Sequence, residues 1–438
     1  DYFKGLKDED LPRFILVSDF DRFQLYDMDK GGAEVGSFTL SELPDNLTLF
    51  GFIAGYEAVE TRPEDPVNIL AAERMARLHD ELEAAGYEGH GLQVYLVRLL
   101  FCLFAEDTGI FNKRLFSDLI HIHTKEDGSD LGPTLTLLFQ VLNTPSEKRL
   151  KTLPEHYKEF PYVNGALFAE TISTASFNSA MRKLLIEATG LYWAGISPAI
   201  FGSLFQGVMD AQERRSLGAH YTTEANILKV IGPLFLDDLK REFERAKSSK
   251  AELGRFQQKL ARLKFLDPAC GCGNFLVLAY RELRLLELEV LKELYRGLAA
   301  LDVSNLISVN VDQFYGIEIE AFPAQIAQVA MWLTDHQMNL KVSEAFGQYF
   351  VRLPLTASAT IVNDNALEVA WESVVGKDEL DYILGNPPFI GSKYQSAEQR
   401  LDMGRIAKGV RNAGILDYVS AWYVLAARYI QDTDIEVA

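Results

Sequence analysis

The spacing of apolar residues changes along the chain and predicts regions of different architecture. Near the start, residues 13–26 form two apolar runs around a turn at residues 19–22, which predicts a β-hairpin. From residue 67 to about residue 188, the apolar positions instead recur at three- and four-residue steps, which is typical of helices with one apolar face. The most regular run consists of Leu92, Tyr95, Leu96, Leu99, Leu100 and Leu103.

After Trp193, apolar runs that end in Gly, Pro or Asn turns alternate with long helical stretches. This alternation is typical of an α/β domain with a parallel sheet. A stretch rich in Pro, Glu and Asp around residues 61–66 indicates a linker. We therefore predict a short N-terminal domain over residues 1–60, a helical connector over residues 61–190 and an α/β domain over residues 191–438.

The first segment with candidate chemistry joins a predicted strand to a predicted helix at residues 264–275. The strand leads to Asp267, and the loop that follows contains Gly271 and Gly273. Glycines at such a turn let the backbone approach a ligand, and the helix N-terminus presents unpaired N–H groups. A dinucleotide fingerprint would need glycine where this chain has Leu276. The loop therefore favours a nucleoside cofactor without a pyrophosphate, with a purely structural turn as the alternative.

Two further predicted strands end in acidic residues. Glu318 follows an apolar strand and is placed to accept hydrogen bonds from both hydroxyls of a ribose, whereas Glu320 begins the next turn. Asp364 follows the strand at residues 360–363 and is suited to accept a hydrogen bond from the amine of an adenine ring. An ordinary Asn-Asp turn is the alternative for Asp364.

The most specific motif is Asn386-Pro387-Pro388-Phe389, which follows a short apolar strand. An adenine amino group is a weak nucleophile because its lone pair is delocalised into the ring. The Asn386 side-chain oxygen and the Pro387 carbonyl can each accept one N–H and direct the lone pair towards an incoming methyl group, while the prolines restrict the backbone. Phe389 offers a face on which an extruded base can stack. The motif therefore predicts methyl transfer to an adenine amino group.

A loop at residues 214–223 precedes the glycine loop and leads into a helix that begins near Glu224. Thr222 or Thr223 is a natural N-cap for that helix, and capping alone is the simpler interpretation. The functional interpretation is that this loop closes over the cofactor, with Tyr221 packing on it.

Together these motifs resemble the gamma class of amino-methylating DNA methyltransferases, and the wider layout is similar to the MmeI-type (type IIL) restriction-modification enzymes. The resemblance implies a Rossmann-like α/β methyltransferase core, dependent on S-adenosyl-L-methionine, preceded by an α-helical connector domain. It implies a site-specific adenine-N6 DNA methyltransferase that acts on a base flipped out of double-stranded DNA. This activity would belong to a bifunctional restriction-modification enzyme.

The resemblance also implies roles for individual residues. The catalytic positions would be Asn386, Pro387, Pro388 and Phe389. The cofactor-binding positions would be Ala219, His220, Tyr221, Thr222, Asp267, Pro268, Ala269, Cys270, Gly271, Gly273, Glu318, Ile319, Asp364, Asn386 and Asp417. Cys272 stands where the family more usually has serine, and the two cysteines of the loop form no ligand set, so no metal site is expected.

Composition limits the partners. With 43 Lys and Arg against 62 Asp and Glu, the formal net charge is −19, which argues against a non-specific nucleic-acid coat but leaves room for a local basic channel. The chain has three cysteines and no apolar run of the ~18–20 residues that a membrane span needs. We therefore expect a cytoplasmic protein with no membrane association, and no obligatory protein partner is evident.

The ends of the chain predict a part of a longer protein, because it begins with Asp1 and residues 430–438 carry no domain-closing pattern. By the resemblance, residues 1–60 would be the remnant of a nuclease-type domain, and a target-recognition domain would be missing after the core. The remnant lacks the Asp and Glu-x-Lys arrangement that binds Mg²⁺ in nucleases of this family. This chain is therefore expected not to cut DNA, and Mg²⁺ would serve only the nuclease of the longer protein.

Two alternatives to a DNA methyltransferase stay open. An Asn-Pro-Pro-aromatic motif also occurs in protein-glutamine and RNA methyltransferases, although the upstream loop and the helical connector favour DNA. A non-enzymatic DNA-associated scaffold that binds the cofactor is the second alternative. The intact motif at residues 386–389 favours an enzyme over a scaffold.

Overall fold

The structure, a computed structural model, describes most of the chain. The described residues are 14–27, 33–43, 66–163, 166–193, 196, 222–295, 306–346 and 359–438. The chain divides into two compact units, Asp1–Pro63 and Glu64–Ala438. The finer division into three domains stays a prediction.

The smaller unit contains an antiparallel sheet of three described strands. β1 (Phe14–Ser18) and β2 (Arg22–Asp27) form the predicted hairpin, and the Asp19 carboxylate accepts hydrogen bonds from two backbone N–H groups of its turn. β3 (Ala33–Thr39) pairs with β2 and was not predicted. Because Gly36 and Ala33 are small, apolar and polar residues do not alternate clearly along β3, and this alternation is the signal by which strands are predicted.

The larger unit begins with helices, as the apolar spacing predicts. These helices are α1 (Pro66–Ala84), α2 (Gly89–Asp107), α3 (Leu115–Ile122), α4 (Leu131–Leu142), α5 (Glu155–Lys158) and α6 (Ser179–Thr189). One expectation was wrong in detail, because α2 is buried around its whole circumference over residues 94–106 rather than along one face. A helix that is buried all round lies at the centre of its domain, and even its charged Arg98 is buried, donating to the carbonyls of Leu167 and Glu170.

The rest of the larger unit is an α/β fold, which confirms the predicted fold class. Its helices are α7 (Glu224–Ile231), α8 (Asp237–Ala246), α9 (Lys250–Leu260), α10 (Asn274–Leu294), α11 (Ala321–Phe346), α12 (Ala397–Ile406) and α13 (Ser420–Tyr429). A π-helical turn, Gly232–Leu236, joins α7 to α8. None of the helices in the described ranges is long and apolar enough to cross a membrane.

The sheet of this fold has five parallel strands within the described residues, in the order β6-β5-β4-β7-β8. The strands are β4 (Phe265–Asp267), β5 (Phe314–Glu318), β6 (Thr360–Asn363), β7 (Tyr382–Ile383) and β8 (Glu436–Val437). The edge strand β8 was not predicted, since two residues are too few to show a period.

Aromatic side chains hold the central strands together. Phe265 on β4 stacks on Phe314 of β5 at 4.9 Å and on Tyr382 of β7 at 5.3 Å between ring centroids. These residues are cross-strand neighbours in the parallel register. Because parallel strands point the same way, the loops that follow β4, β5, β6 and β7 all leave from one edge of the sheet, where ligands bind in α/β folds.

A buried ionic cluster joins α10 to α11. The Arg284 guanidinium donates to Asp335 Oδ1 at 2.7 Å and to Asn339 Oδ1 at 2.8 Å, and lies 3.5 Å from Glu287 Oε2. The Tyr280 hydroxyl also donates to Asp335, at 2.6 Å. Arg284 is 1% exposed, so the cluster depends on mutual neutralisation rather than on water.

We expect Arg284→Met to destabilise the protein by about 3–5 kcal/mol, because Glu287 and Asp335 would stay buried without their cation. Lys292→Met on the same helix is the matched control, since it removes an exposed pair with Glu289 and is expected to change stability little. Urea denaturation followed by circular dichroism measures both variants. Equal losses of stability in the two variants would show that the buried cluster contributes no more to stability than an exposed ion pair does.

Candidate functional site

The loop after β4 starts at a buried carboxyl group and contains two left-handed glycines. Asp267 is 1% exposed, and its Oδ1 accepts a hydrogen bond from the Ala269 N–H at 3.0 Å. Gly273 has φ +82°, and a Cβ at this position would lie 3.0 Å from that of Ala327 on α11. Gly271 has φ +53°, but a Cβ there would meet nothing within 4 Å. Gly273 is thus needed for packing, whereas Gly271 borders open space of the kind a ligand can occupy.

Glu318 ends β5 beside this loop and binds it through the backbone. Its Oε2 accepts from the Gly271 N–H at 2.8 Å, and its Oε1 accepts from the Glu320 N–H at 2.9 Å. Each carboxylate oxygen retains the capacity for a second hydrogen bond. Burial raises the pKa of Glu318. The neighbouring Ile319 is 58% exposed, which leaves an apolar side chain available next to the carboxylate.

The end of β6 is attached to the same point. The Asp364 N–H donates to the Glu318 carbonyl at 3.0 Å. The Asn363 amide donates to the carbonyls of Glu318 and Ile319 at 2.9 and 2.8 Å. The exposed Asp364 carboxylate is therefore held one strand away from Glu318, and the roles of the two residues towards a ribose and an adenine stay predictions.

The loop after β7 packs directly against the loop after β4. A Cβ on Gly385 would lie 2.4 Å from Asp267 Oδ1, so no side chain fits at this position. The next residue, Asn386, donates from Nδ2 to the Thr222 hydroxyl at 3.0 Å. Within the described residues, Asn386 Oδ1 accepts no hydrogen bond. The amide is thus oriented with its oxygen available as an acceptor.

The rest of the Asn-Pro-Pro-Phe loop is supported from behind. Pro387 and Pro388 are half-buried, and Phe389 is 52% exposed, with its ring accessible. Asp417 Oδ1 accepts from the Ile390 N–H at 2.9 Å, which fixes the end of the loop. Sequence reasoning missed this support by Asp417, and the predicted contact of Asp417 with the cofactor stays a prediction.

Trp422 is a second supporting residue that the sequence did not reveal. Its indole N–H donates to the carbonyl of Pro268, the residue after Asp267, at 3.0 Å. This contact fastens the glycine loop to α13 across 154 positions of the chain. A single tryptophan in a helical stretch offers no local signal of such a partner.

The two cysteines of the glycine loop are shifted towards the protonated thiol. Burial raises the pKa of both the Cys270 and the Cys272 thiol. A raised pKa disfavours the thiolate, which is the form that acts as a nucleophile or metal ligand. In the part of the chain that the structure describes, no group of three or more His, Cys, Asp or Glu side chains is arranged to hold a metal ion.

The structure brings most of the predicted site residues to one edge of the sheet. Thr222 contacts Asn386, Gly385 packs on Asp267, and Gly271 binds Glu318. The predicted residues Ala219, His220 and Tyr221 lie outside the described residues. The roles of all these residues stay predictions.

The electrostatics of the site favour a positively charged ligand. Burial, with a smaller contribution from the neighbouring Glu318, raises the pKa of Asp267 to about 8, although the hydrogen bond from the Ala269 N–H lowers it. The raised pKa of Glu318 has the same main cause. A cationic group bound between these carboxyls would favour their ionised forms, so the site is suited to a ligand that carries positive charge.

Comparison with known proteins identifies one family along the chain. Residues 1–85, 90–168 and 243–438 match models described as the MmeI N-terminal domain, the MmeI helicase spacer domain and the MmeI DNA-methyltransferase domain. DNA methyltransferase A of Bacillus subtilis (strain 168) is 41% identical over 435 residues, which are 98% of this chain and 49% of that protein.

A solved structure is similar over most of the chain. It is that of the type IIL restriction-modification enzyme MmeI in complex with DNA, with 58% identity and a TM-score of 0.78. The match covers 85% of this chain and 50% of the MmeI chain. This chain therefore spans about half the length of both relatives.

The raised pKa of Asp267 predicts a pH dependence of stability. Its ordinary value is 3.8 and its value in the fold is about 8, so the folded protein binds a proton that the unfolded chain has released. The stability that the protonated carboxyl contributes is complete below about pH 4 and is lost as the pH rises through about 8.

Asp267→Asn mimics the protonated acid and removes this titration. Without ligand, we expect the wild type to lose stability relative to this variant between pH 4 and pH 8, as measured by urea denaturation at each pH. A constant difference between the two proteins over this range would mean that Asp267 is ionised in the fold.

Proposed function

The chain belongs to the MmeI family, and from this premise we propose that it methylates the N6 amino group of adenine in double-stranded DNA. The methyl donor is S-adenosyl-L-methionine, and the chain is the site-specific methyltransferase part of a bifunctional restriction-modification enzyme. One observation carries the proposal: the Asn386 amide is held by Thr222 with its oxygen available, beside the glycine loop.

The catalytic loop holds the target amine. Asn386 Oδ1 and the Pro387 carbonyl each accept one N–H of the adenine amino group, which directs the nitrogen lone pair out of the ring plane. The two prolines restrict the backbone and hold the carbonyl in place. The half-exposed Phe389 stacks on the flipped base, a contact worth about 1–3 kcal/mol in other base–aromatic pairs.

The residues around the glycine loop fit the methyl donor. Glu318 has hydrogen-bonding capacity left for two ribose hydroxyls, and Asp364 is held where it can accept from an adenine amine. The open space at Gly271 gives room at the backbone, and the positive charge of a bound methionine part would favour the ionised form of Asp267. When bound, S-adenosyl-L-methionine supplies an electrophilic methyl group on a sulfonium.

Positioning accounts for most of the catalysis. With the donor bound, the amine held by Asn386 and Pro387 would accept the methyl group through its lone pair and would then release its proton to water. No general base is required at neutral pH, because the proton becomes acidic only once the bond has formed. The protein therefore contributes orientation of the amine and alignment with the methyl group.

Finer assignments follow from the same proposal. The reaction takes place in the cytoplasm, where the three free cysteines of the chain stay reduced. Double-stranded DNA is the substrate, and no obligatory protein partner takes part. Mg²⁺ serves only the nuclease of the longer protein.

Replacing the catalytic amide tests the function. We expect Asn386→Ala to lower methyl transfer from labelled S-adenosyl-L-methionine to duplex DNA by about 10²-fold or more, because one of two contacts to the amine is lost. Binding of S-adenosyl-L-methionine, measured by calorimetry, is expected to stay close to wild type. The exposed Asn226, whose amide contacts Lys229, supplies the control Asn226→Ala.

Parallel assays with RNA and with protein substrates separate the alternatives. Transfer to RNA or to a glutamine side chain but not to DNA would contradict the proposal. So would unchanged methylation of DNA by Asn386→Ala. Binding of the cofactor without transfer to any substrate would favour a scaffold.

The hydrogen bond from Asn386 to Thr222 gives a second prediction. Thr222→Val keeps the side-chain volume but removes the acceptor, and we expect kcat to fall about tenfold, the usual weight of one hydrogen bond. Thr222→Ser keeps the hydroxyl and should restore most of the rate. An increase in KM for S-adenosyl-L-methionine with kcat unchanged would instead mark Thr222 as a cofactor contact alone.

A further inference from the structure

We propose that residues 391–411, named here the basic segment, bind the phosphates of duplex DNA and position it for the catalytic loop. This inference rests on the proposed function and assigns it a binding surface. The segment follows directly after Asn386–Ile390 and contains α12.

The charge of the basic segment is opposite to that of the chain as a whole. It has five Lys and Arg against two Asp and Glu, in a chain with a net charge of −19. Arg405 pairs with Asp402 at 2.9 Å. The other four cations, Lys393, Arg400, Lys408 and Arg411, are exposed, and none has an ion-pair partner among the described residues. Four unneutralised cations in one surface segment are suited to a polyanion.

The packing of α12 presents part of this charge outward. Met403 and Ile406 are buried in the apolar core that also contains Tyr418 and Trp422. The side of the helix turned away from this core points to solvent. The exposed residues of α12 are Ala397, Glu398, Arg400, Leu401, Gly404 and Arg405, so Arg400 is displayed to solvent with one acidic residue nearby. A capping box between Ser396 and Gln399 fixes the start of the helix. The cations are thus displayed on a folded support rather than on a loose tail.

Hydrogen bonds fasten the basic segment to the catalytic loop. The buried Gln395 amide donates to the carbonyl of Ile390 at 3.2 Å and to that of Leu416 at 3.1 Å. The Tyr418 hydroxyl donates to Asp402 Oδ2 at 2.9 Å. Ile390 directly follows Phe389, so a phosphate bound by the segment has a defined position relative to the loop that receives the base.

Exposed apolar side chains lie in the same surface. Tyr394 is 86% exposed, Leu401 is 74% exposed and Phe389 is 52% exposed. Aromatic rings among cations are typical of surfaces that bind nucleic acids, where bases stack and phosphates pair with charge. The net negative charge of the rest of the chain disfavours a broad anionic membrane surface as the partner, because such a surface would meet the acidic residues as well.

Neutralising the four unpaired cations tests the inference in the full chain. The variant combines K393Q, R400Q, K408Q and R411Q. We expect its Kd for duplex DNA to rise about tenfold or more at moderate salt, with the slope of log K against log salt reduced by about three to four. Binding of S-adenosyl-L-methionine should stay unchanged, which also shows that the site is folded.

A matched control removes the same charges elsewhere on the same unit. It combines K240Q, R245Q, K250Q and R262Q, four exposed cations on or next to α8 and α9. We expect this control to bind DNA with nearly the wild-type salt slope. An equal loss in both variants, or no loss in the first, would overturn the inference.

The outcomes also separate this inference from the proposed function. Suppose that the wild type methylates DNA and Asn386→Ala abolishes this activity, but the variant lacking the four cations binds DNA with an unchanged Kd. Then only the assignment of the binding surface is wrong. If the wild type transfers no methyl group to DNA, the proposed function itself fails. Loss of binding to phosphatidylserine vesicles with unchanged DNA binding would assign the surface to a membrane and overturn the inference.

Discussion

The close packing of Gly385 on Asp267 is the contact on which the whole site depends. The Leu384 N–H donates to the Leu266 carbonyl at 3.0 Å, so β7 runs beside β4 up to the sheet edge. There, a Cβ on Gly385 would lie 2.4 Å from the Asp267 carboxylate, and only glycine permits the two loops to meet. Because of this contact, the loop that ends in Asn386 and the loop that would receive the methyl donor form one site rather than two.

Carboxyl groups with low exposure hold this edge of the sheet together and also influence which ligands it can bind. Glu318 accepts from backbone N–H groups on both sides, which fixes the glycine loop to β5. Asp267 accepts only one such bond among the described residues, and burial raises its pKa to about 8. A carboxyl that ionises reluctantly is stabilised most by a ligand that brings its own positive charge. A cationic cofactor would therefore offset the free-energy cost of ionising these acids better than a neutral cofactor would.

The parts of the site that the sequence predicted are those that lie within a few residues of each other. The Asn386–Phe389 motif, the glycine loop and the strand-end Glu318 each carry a local signal, and parallel strand order then brings them together. The hydrogen bond between Thr222 and Asn386 spans 164 positions, and the one between Trp422 and Pro268 spans 154, so neither is visible as spacing. The short strand β8 and the all-round burial of α2 were missed because both depend on tertiary packing rather than on a local period.

An acidic protein can act on a polyanion only if its charge is distributed unevenly. In physiological salt the field of a charge is screened over about 8–10 Å, so a phosphate beside the basic segment responds mainly to the cations there. Phosphates that approach the acidic parts of the chain, whose net charge as a whole is −19, meet repulsion instead. Gln395 connects the basic segment to Ile390. DNA that is held by the cations of this segment therefore has a fixed orientation relative to the loop that carries Asn386.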